Sequence, residues 1–169
     1  MKYLFSLLLA LVMLSGVTAA STAHDGKRDS LLAVAESQIG VRELTNRNDG
    51  KEVEMYLASV GLGKGYAWCA AFVTWTFRKA HYTVPSLPMA AQWLTIKKRI
   101  PAKDLIPSDL FGVYFDRTVG HVGFVQKVSD TKIYTIEGNT NDNGSREGIG
   151  VFRRVRLKTR TNLVYSRWT

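Results

Sequence analysis

Tyr66-Ala67-Trp68-Cys69-Ala70-Ala71-Phe72-Val73-Thr74-Trp75-Thr76-Phe77 decides the reading of this chain, because it sets the sole cysteine at the opening of an apolar, helix-period run. Phe72, Val73, Thr76 and Phe77 share one face of a helix expected over Trp68 to Ala80. Cys69 then lies in the first turn, where free backbone N–H groups and the positive end of the helix dipole stabilise a thiolate. An unpaired cysteine is either a buried apolar side chain or a working thiol, and free cysteines are commonly buried. The same N–H groups could hold the oxyanion formed when a thiolate attacks a carbonyl. Such an address benefits a nucleophile far more than a structural cysteine.

Upstream, two more helices are expected. Lys27 to Ile39 carries Leu31, Ala35 and Ile39 on one face and stops at Gly40. Asp49 with Glu52 reads as a capping box that opens a helix through Val60, with Val53, Tyr56, Leu57 and Val60 as its apolar stripe. The loop Gly61-Leu62-Gly63-Lys64-Gly65 leads into the cysteine helix. Downstream, Pro85 and Pro88 mark a break before a short helix over Met89 to Ile96. After Pro101 the period changes. Leu110–Phe115, Gly120–Val128, Lys132–Glu137, Gly150–Val155 and Asn162–Tyr165 are short β-branched or aromatic runs between turn residues. Helices first and antiparallel strands afterwards imply an α+β domain, helices packed on one side of a sheet. No linker divides the chain, so one mature domain is expected over 27–169.

A cysteine nucleophile needs a base, and the chain has three histidines. His24 sits at the edge of the leader. His81 follows Cys69 by twelve residues along or just past the same helix, roughly 18 Å away at ~1.5 Å rise per residue, beyond hydrogen-bond reach. That leaves His121, in Gly120-His121-Val122-Gly123-Phe124-Val125 at the start of a strand. An orienting group is offered by Ile136-Glu137-Gly138-Asn139, which ends the next strand. Strand side chains alternate faces, so register decides whether these meet. An odd-with-odd register through a turn near Asp130 puts His121, Glu137 and Asn139 on one face. A shift of one residue would destroy the site.

The chain has 169 residues and a formal charge of +9, from 23 Lys and Arg against 14 Asp and Glu. Met1-Lys2-Tyr3, the apolar run Leu4–Leu14 and the small residues after it read as a signal peptide over 1–20. Cleavage is expected near Ala19–Ala23, and only one charge, Lys2, would be lost with it. The apolar run is shorter than the ~20 residues a spanning helix needs, so no stable membrane insertion is expected after cleavage. The mature domain is expected to be periplasmic or secreted. Positive charge outside a cell favours an anionic cell-wall surface. A nucleic-acid partner would rest on charge alone and conflicts with export. The basic runs Lys97-Lys98-Arg99 and Arg153-Arg154-Val155-Arg156-Leu157-Lys158 read as either a patch or solvated faces; alternation in the second suits a half-buried strand. No His or Cys cluster has metal-ligand spacing, and no cofactor is expected.

With these residues in hand, the chain resembles the CHAP family, the cysteine- and histidine-dependent amidohydrolases and peptidases that cut bacterial peptidoglycan. The resemblance runs from about Glu36 to Ile149. It is carried by Trp68-Cys69-Ala70-Ala71-Phe72-Val73, Pro107-Ser108-Asp109-Leu110-Phe111, Gly120-His121-Val122-Gly123-Phe124-Val125 and Glu137-Gly138-Asn139. It implies a papain-like fold with Cys69 as nucleophile, His121 as base, Glu137 as orienter and Asn139 as supporting group. Tyr66, Trp68 and Trp93 are candidates to line a substrate groove, with burial in the core as the competing assignment. Ser108 departs from the family's usual glycine, no acidic calcium-binding loop precedes Cys69, and no wall-binding repeat is attached. The expected activity is cleavage of an amide bond in the peptidoglycan stem peptide, an endopeptidase ahead of an N-acetylmuramoyl-L-alanine amidase. The alternative is a non-catalytic wall or surface binding protein derived from such a hydrolase. No inhibitor partner can be read from the residues.

Overall fold

The computed structural model describes residues 24–95, 98–141 and 148–169; the expected leader, Ile96 and Lys97 lie outside them. Helix α1 covers 24–36, α2 is Lys51–Ala58, α3 is Cys69–Lys79 and α4 is the single turn Ala90–Trp93. Five strands follow: β1 Leu110–Phe115, β2 Thr118–Val128, β3 Lys132–Thr140, β4 Gly150–Leu157 and β5 Leu163–Ser166. They form one antiparallel sheet in the order β4-β3-β2-β1-β5. The expected α+β class and all five expected strands are therefore present.

Strand alternation divides the apolar residues between two clusters. Leu110, Val122, Phe124 and Ile136 face the helices and pack with Leu31, Ala35, Val53, Tyr56, Leu57, Phe72, Val73, Phe77 and Trp93. On the other face, Phe111, Val113, Val125, Ile133 and Tyr165 gather beneath Leu105. At Gly138 an added Cβ would stand 2.8 Å from the rings of both Phe72 and Trp68. Only glycine there lets the start of α3 lie directly on β3.

The register of the β2–β3 hairpin determines which side chains share a face. Near the turn, Val128 pairs with Ile133 and Lys127 with Tyr134, odd with even. Past a bulge between Val125 and Lys127, Val125 pairs with Thr135 and Phe124 with Ile136. The inserted residue, Gln126, restores odd-with-odd pairing and so turns His121 and Glu137 to the same face. Its amide donates to Glu36 Oε1 at 2.5 Å, tying the bulge to α1.

The start of α2 corrects an expectation. Its N-cap is Gly50, with no side-chain cap. Asp49 instead accepts from the backbone N–H (2.9 Å) and hydroxyl (2.6 Å) of Thr45, closing the preceding loop. Glu54, not Glu52, reaches back to the Gly50 N–H.

Candidate functional site

Cys69 is the first residue of α3, and the helix begins with the Phe72 N–H donating to the Trp68 carbonyl at 2.8 Å. The N–H groups of Cys69, Ala70 and Ala71 therefore have no acceptor within the helix. The helix N-terminus meets the sheet at the His121–Val122 end of β2. Burial pushes the Cys69 thiol up. The hydrogen bond and charge of His121 and the backbone N–H groups of Val122 and Ala70 outweigh it, and the thiol ends below its ordinary value.

His121 and Glu137 form the next link. Glu137 is completely buried and, as a carboxylate, only accepts, so His121 Nε2–H donates to Glu137 Oε2 at 2.9 Å. Nδ1 is left for the Cys69 thiol, with which His121 shares a side-chain hydrogen bond. Burial lowers the proton affinity of His121, but Cys69 and Glu137 together raise its pKa to about 9. Burial likewise pushes Glu137 up, yet Arg156 and then His121 hold it well below the usual carboxylate range. Both shifts favour a thiolate beside an imidazolium whose other nitrogen holds the Glu137 carboxylate, an arrangement able to pair a nucleophile with its proton carrier.

Asn139 stands elsewhere. Its backbone is left-handed, φ 52°, and its amide donates to Asn48 Oδ1 at 3.0 Å and Glu43 Oε1 at 3.5 Å. Glu43 also accepts from Trp68 Nε1 at 2.8 Å. Asn139 thus braces the residue preceding Cys69 instead of the imidazole. Trp68 and Trp93 are core residues and not groove residues: both are fully buried, Trp68 against Tyr56 and Trp93 stacked on Phe77 at 5.0 Å. Tyr66, three residues before Cys69 and 58% exposed, is the one of the three aromatics open to solvent. His24 and His81 are both exposed, and His81 follows the far end of α3.

Two contributors escaped the sequence reading. Glu43 has no motif around it. Arg156 was half hidden by its basic run, yet it lies on the β4 face that alternation assigns to Phe152 and Arg154, and it binds Glu137 twice at 2.7 Å. A buried strand carboxylate requires a cation on a neighbouring strand, and that requirement was the available signal.

The sequence model of the CHAP domain matches residues 61–139, which hold Cys69, His121, Glu137 and Asn139. Among solved structures, the P60 domain of an antigen from M. avium paratuberculosis superposes with a TM-score of 0.54 at 12% identity, covering 89% of this chain and 99% of that one. RipD from Mycobacterium tuberculosis, a non-catalytic NlpC/p60 domain protein adapted to peptidoglycan binding, aligns at 12% identity with a TM-score of 0.49 over 85% of this chain and 98% of that one. No curated protein matches the chain. A CHAP domain is thus matched over residues 61–139, and the α+β fold around it is similar to that of the P60 domain.

Proposed function

We propose that this chain is an exported peptidoglycan hydrolase that cleaves a stem-peptide amide through a cysteine acyl-enzyme. The observation that carries the reading is the hydrogen-bonded line from Cys69 through His121 to Glu137 at a helix N-terminus. The thiolate of Cys69 attacks the amide carbonyl carbon, and the α3 N–H groups hold the oxyanion. As the C–N bond breaks, the His121 imidazolium gives its proton to the leaving amine. Water then attacks the thioester while His121 takes its proton, releasing the carboxylic acid and regenerating Cys69. Glu137 keeps the ring oriented and the imidazolium charged, and Tyr66 contacts the substrate.

Export to the periplasm or medium is part of the proposal and rests on the leader-like sequence over 1–20. An anionic wall surface is the partner that the charge of +9 favours. For the scissile bond we favour one within the stem peptide over the muramoyl–alanine bond. Support is indirect: the short glycine-rich loop 61–65, exposed at Gly61, Gly63 and Gly65, leaves the approach to Cys69 open. Mass spectrometry of digested muropeptides decides it. Shortened stems still attached to sugar are expected; intact free stems beside bare disaccharides would identify an amidase. Wall binding without any bond cleavage would identify the alternative, a binding protein.

A further inference from the structure

Glu137 accepts hydrogen bonds from three residues, and His121 supplies only one of them. Thr135 Oγ1 donates to Oε1 at 2.5 Å. Arg156 donates twice, Nε to Oε1 and Nη2 to Oε2, each at 2.7 Å. We propose that Arg156 is a positioning residue of this site, clamping Glu137 with Oε2 toward His121 and offsetting its charge. The proposal rests on the catalytic reading of Cys69, His121 and Glu137 and deepens it.

The geometry requires this particular side chain at this place. Arg156 pairs across the sheet with Ile133, so its stem must run along the sheet surface to reach Glu137. It does so over the ring of Phe111, with the guanidinium carbon 5.0 Å from the ring centroid; that ring in turn lies 6.0 Å from the imidazole. The arginine side chain is left only 15% exposed. A planar fork can bind both carboxylate oxygens at once and fix the carboxylate's rotation, which a lysine ammonium cannot do.

The charge matters as much as the geometry. The groups facing this carboxylate and ring are Cys69 from α3, His121 from β2, Thr135 from β3 and Arg156 from β4, with Tyr165 of β5 close enough to feel Arg156. Arg156 and the imidazolium are the cations acting on Glu137. Deleting a fixed positive charge raises the proton affinity of every neighbouring group. Without Arg156, Cys69, His121 and Glu137 should all titrate at higher pH. An arginine that only braced the strand, without acting on Glu137 and the ring, would change amplitude and leave these titrations in place.

The test compares Arg156→Met, Arg156→Lys and, as a charge-loss control on the opposite, exposed side of the same strand, Arg153→Met. The sequence has one cysteine, so the rate of iodoacetamide alkylation against pH reports Cys69 alone. His121 is followed in parallel through its ring NMR signals, and folding by circular dichroism. Arg156→Met is expected to move the alkylation midpoint up by about half a pH unit or more. Arg156→Lys should keep the native midpoint while lowering kcat roughly tenfold at unchanged KM, since charge stays and the fork is lost. Arg153→Met should match the native protein. An unshifted midpoint in folded Arg156→Met overturns the proposal. If that variant does not fold, a native kcat in Arg156→Lys overturns it. Alkylation needs no substrate, so the two readings separate. A shifted midpoint in a protein that never cleaves peptidoglycan would remove the hydrolase reading and leave Arg156 standing; lysis with an unshifted midpoint would do the reverse.

Discussion

Two buried carboxylates in this molecule, Asp109 and Glu137, are both gripped by arginine, and they do different work. Asp109 accepts from Arg28 Nη2 at 3.2 Å, from Arg167 Nε and Nη2 at 2.7 and 2.8 Å, and from the Ile106 N–H at 2.8 Å. These bonds tie α1 and the end of β5 to the entry of β1. Glu137 has the same arginine fork but faces an imidazole and, beyond it, a thiol. Every cation around Asp109 is a guanidinium, which stays charged throughout the working pH range. At Glu137 a titratable ring occupies one side. A carboxylate held only by permanent charges is a clamp, whereas one that shares its charge with an imidazole can serve proton transfer.

Substitutions should therefore separate the two. Glu137→Gln is expected to lower kcat roughly 10²- to 10⁴-fold in the folded protein, because the imidazolium loses its counter-charge, and to cost stability as well, because Arg156 loses its buried partner. Asp109→Ala should cost stability only, about 3–5 kcal/mol because two arginines lose their buried partner, and leave kcat of the folded protein largely unchanged. Arg167→Ala should cost less, since its side chain is 31% exposed and solvent screens the charge left behind. Calorimetry and initial rates on the same preparations check both. A Glu137→Gln protein that melts early but retains its specific activity would erase the contrast.

The pH response sharpens it next. His121 is raised above 6.5, so its contribution to stability is complete below about 6.5 and is lost as pH rises through about 9. Cys69, lowered from 9.0, has the opposite sign: its contribution is present above 9.0 and lost as pH falls through the folded value. Glu137, held below 4.5, contributes above that pH and loses it only in stronger acid. The thiol and imidazole slopes oppose each other in stability but not in turnover, which needs the imidazolium. Activity should fall through about pH 9 while near-ultraviolet circular dichroism, held by the Asp109 clamp, stays native. Coincident loss of both signals would show that the alkaline limb is unfolding.

Smaller effects test the edges of each region. Asn139→Ala should reduce kcat less than Glu137→Gln, because Asn139 bonds Asn48 and Glu43 and not the ring. A larger loss in Asn139→Ala would make the amide, not the carboxylate, the third member of the site. At the clamp, Ser108 has φ 74°, a conformation costly for any residue with a side chain, and its hydroxyl accepts from Arg28 Nε at 2.8 Å. Ser108→Gly removes that strain, worth ~1 kcal/mol, but loses the hydrogen bond and frees the unfolded chain. The two nearly cancel, and a shift in stability under about 1 kcal/mol is expected from denaturant melts. A much larger loss would make the hydroxyl an essential part of the clamp.

Much of this was legible in the residues because it follows from periodicity. The helix-period stripe Phe72, Val73, Thr76, Phe77 placed Cys69 at a helix start, and odd parity joined His121 to Glu137. The bulge at Gln126 was not legible, although the parity depends on it, because no residue type marks an inserted position in an apolar strand. Arg156 was read with its basic neighbours as half-buried strand, since alternation gives a face but not the carboxylate bound on the neighbouring strand. Trp68 and Trp93 were ambiguous because an aromatic at a helix start fits a core or a groove, and only burial separates them. Asn139 carried the right parity but a left-handed φ that turns its amide toward Glu43 and Asn48.

The most direct measurement is release of soluble fragments from purified peptidoglycan by this protein and by its Cys69→Ala variant, both verified as folded and assayed without added metal. The proposed nucleophile predicts steady release by the native protein and none by Cys69→Ala. Undiminished release by Cys69→Ala would contradict it.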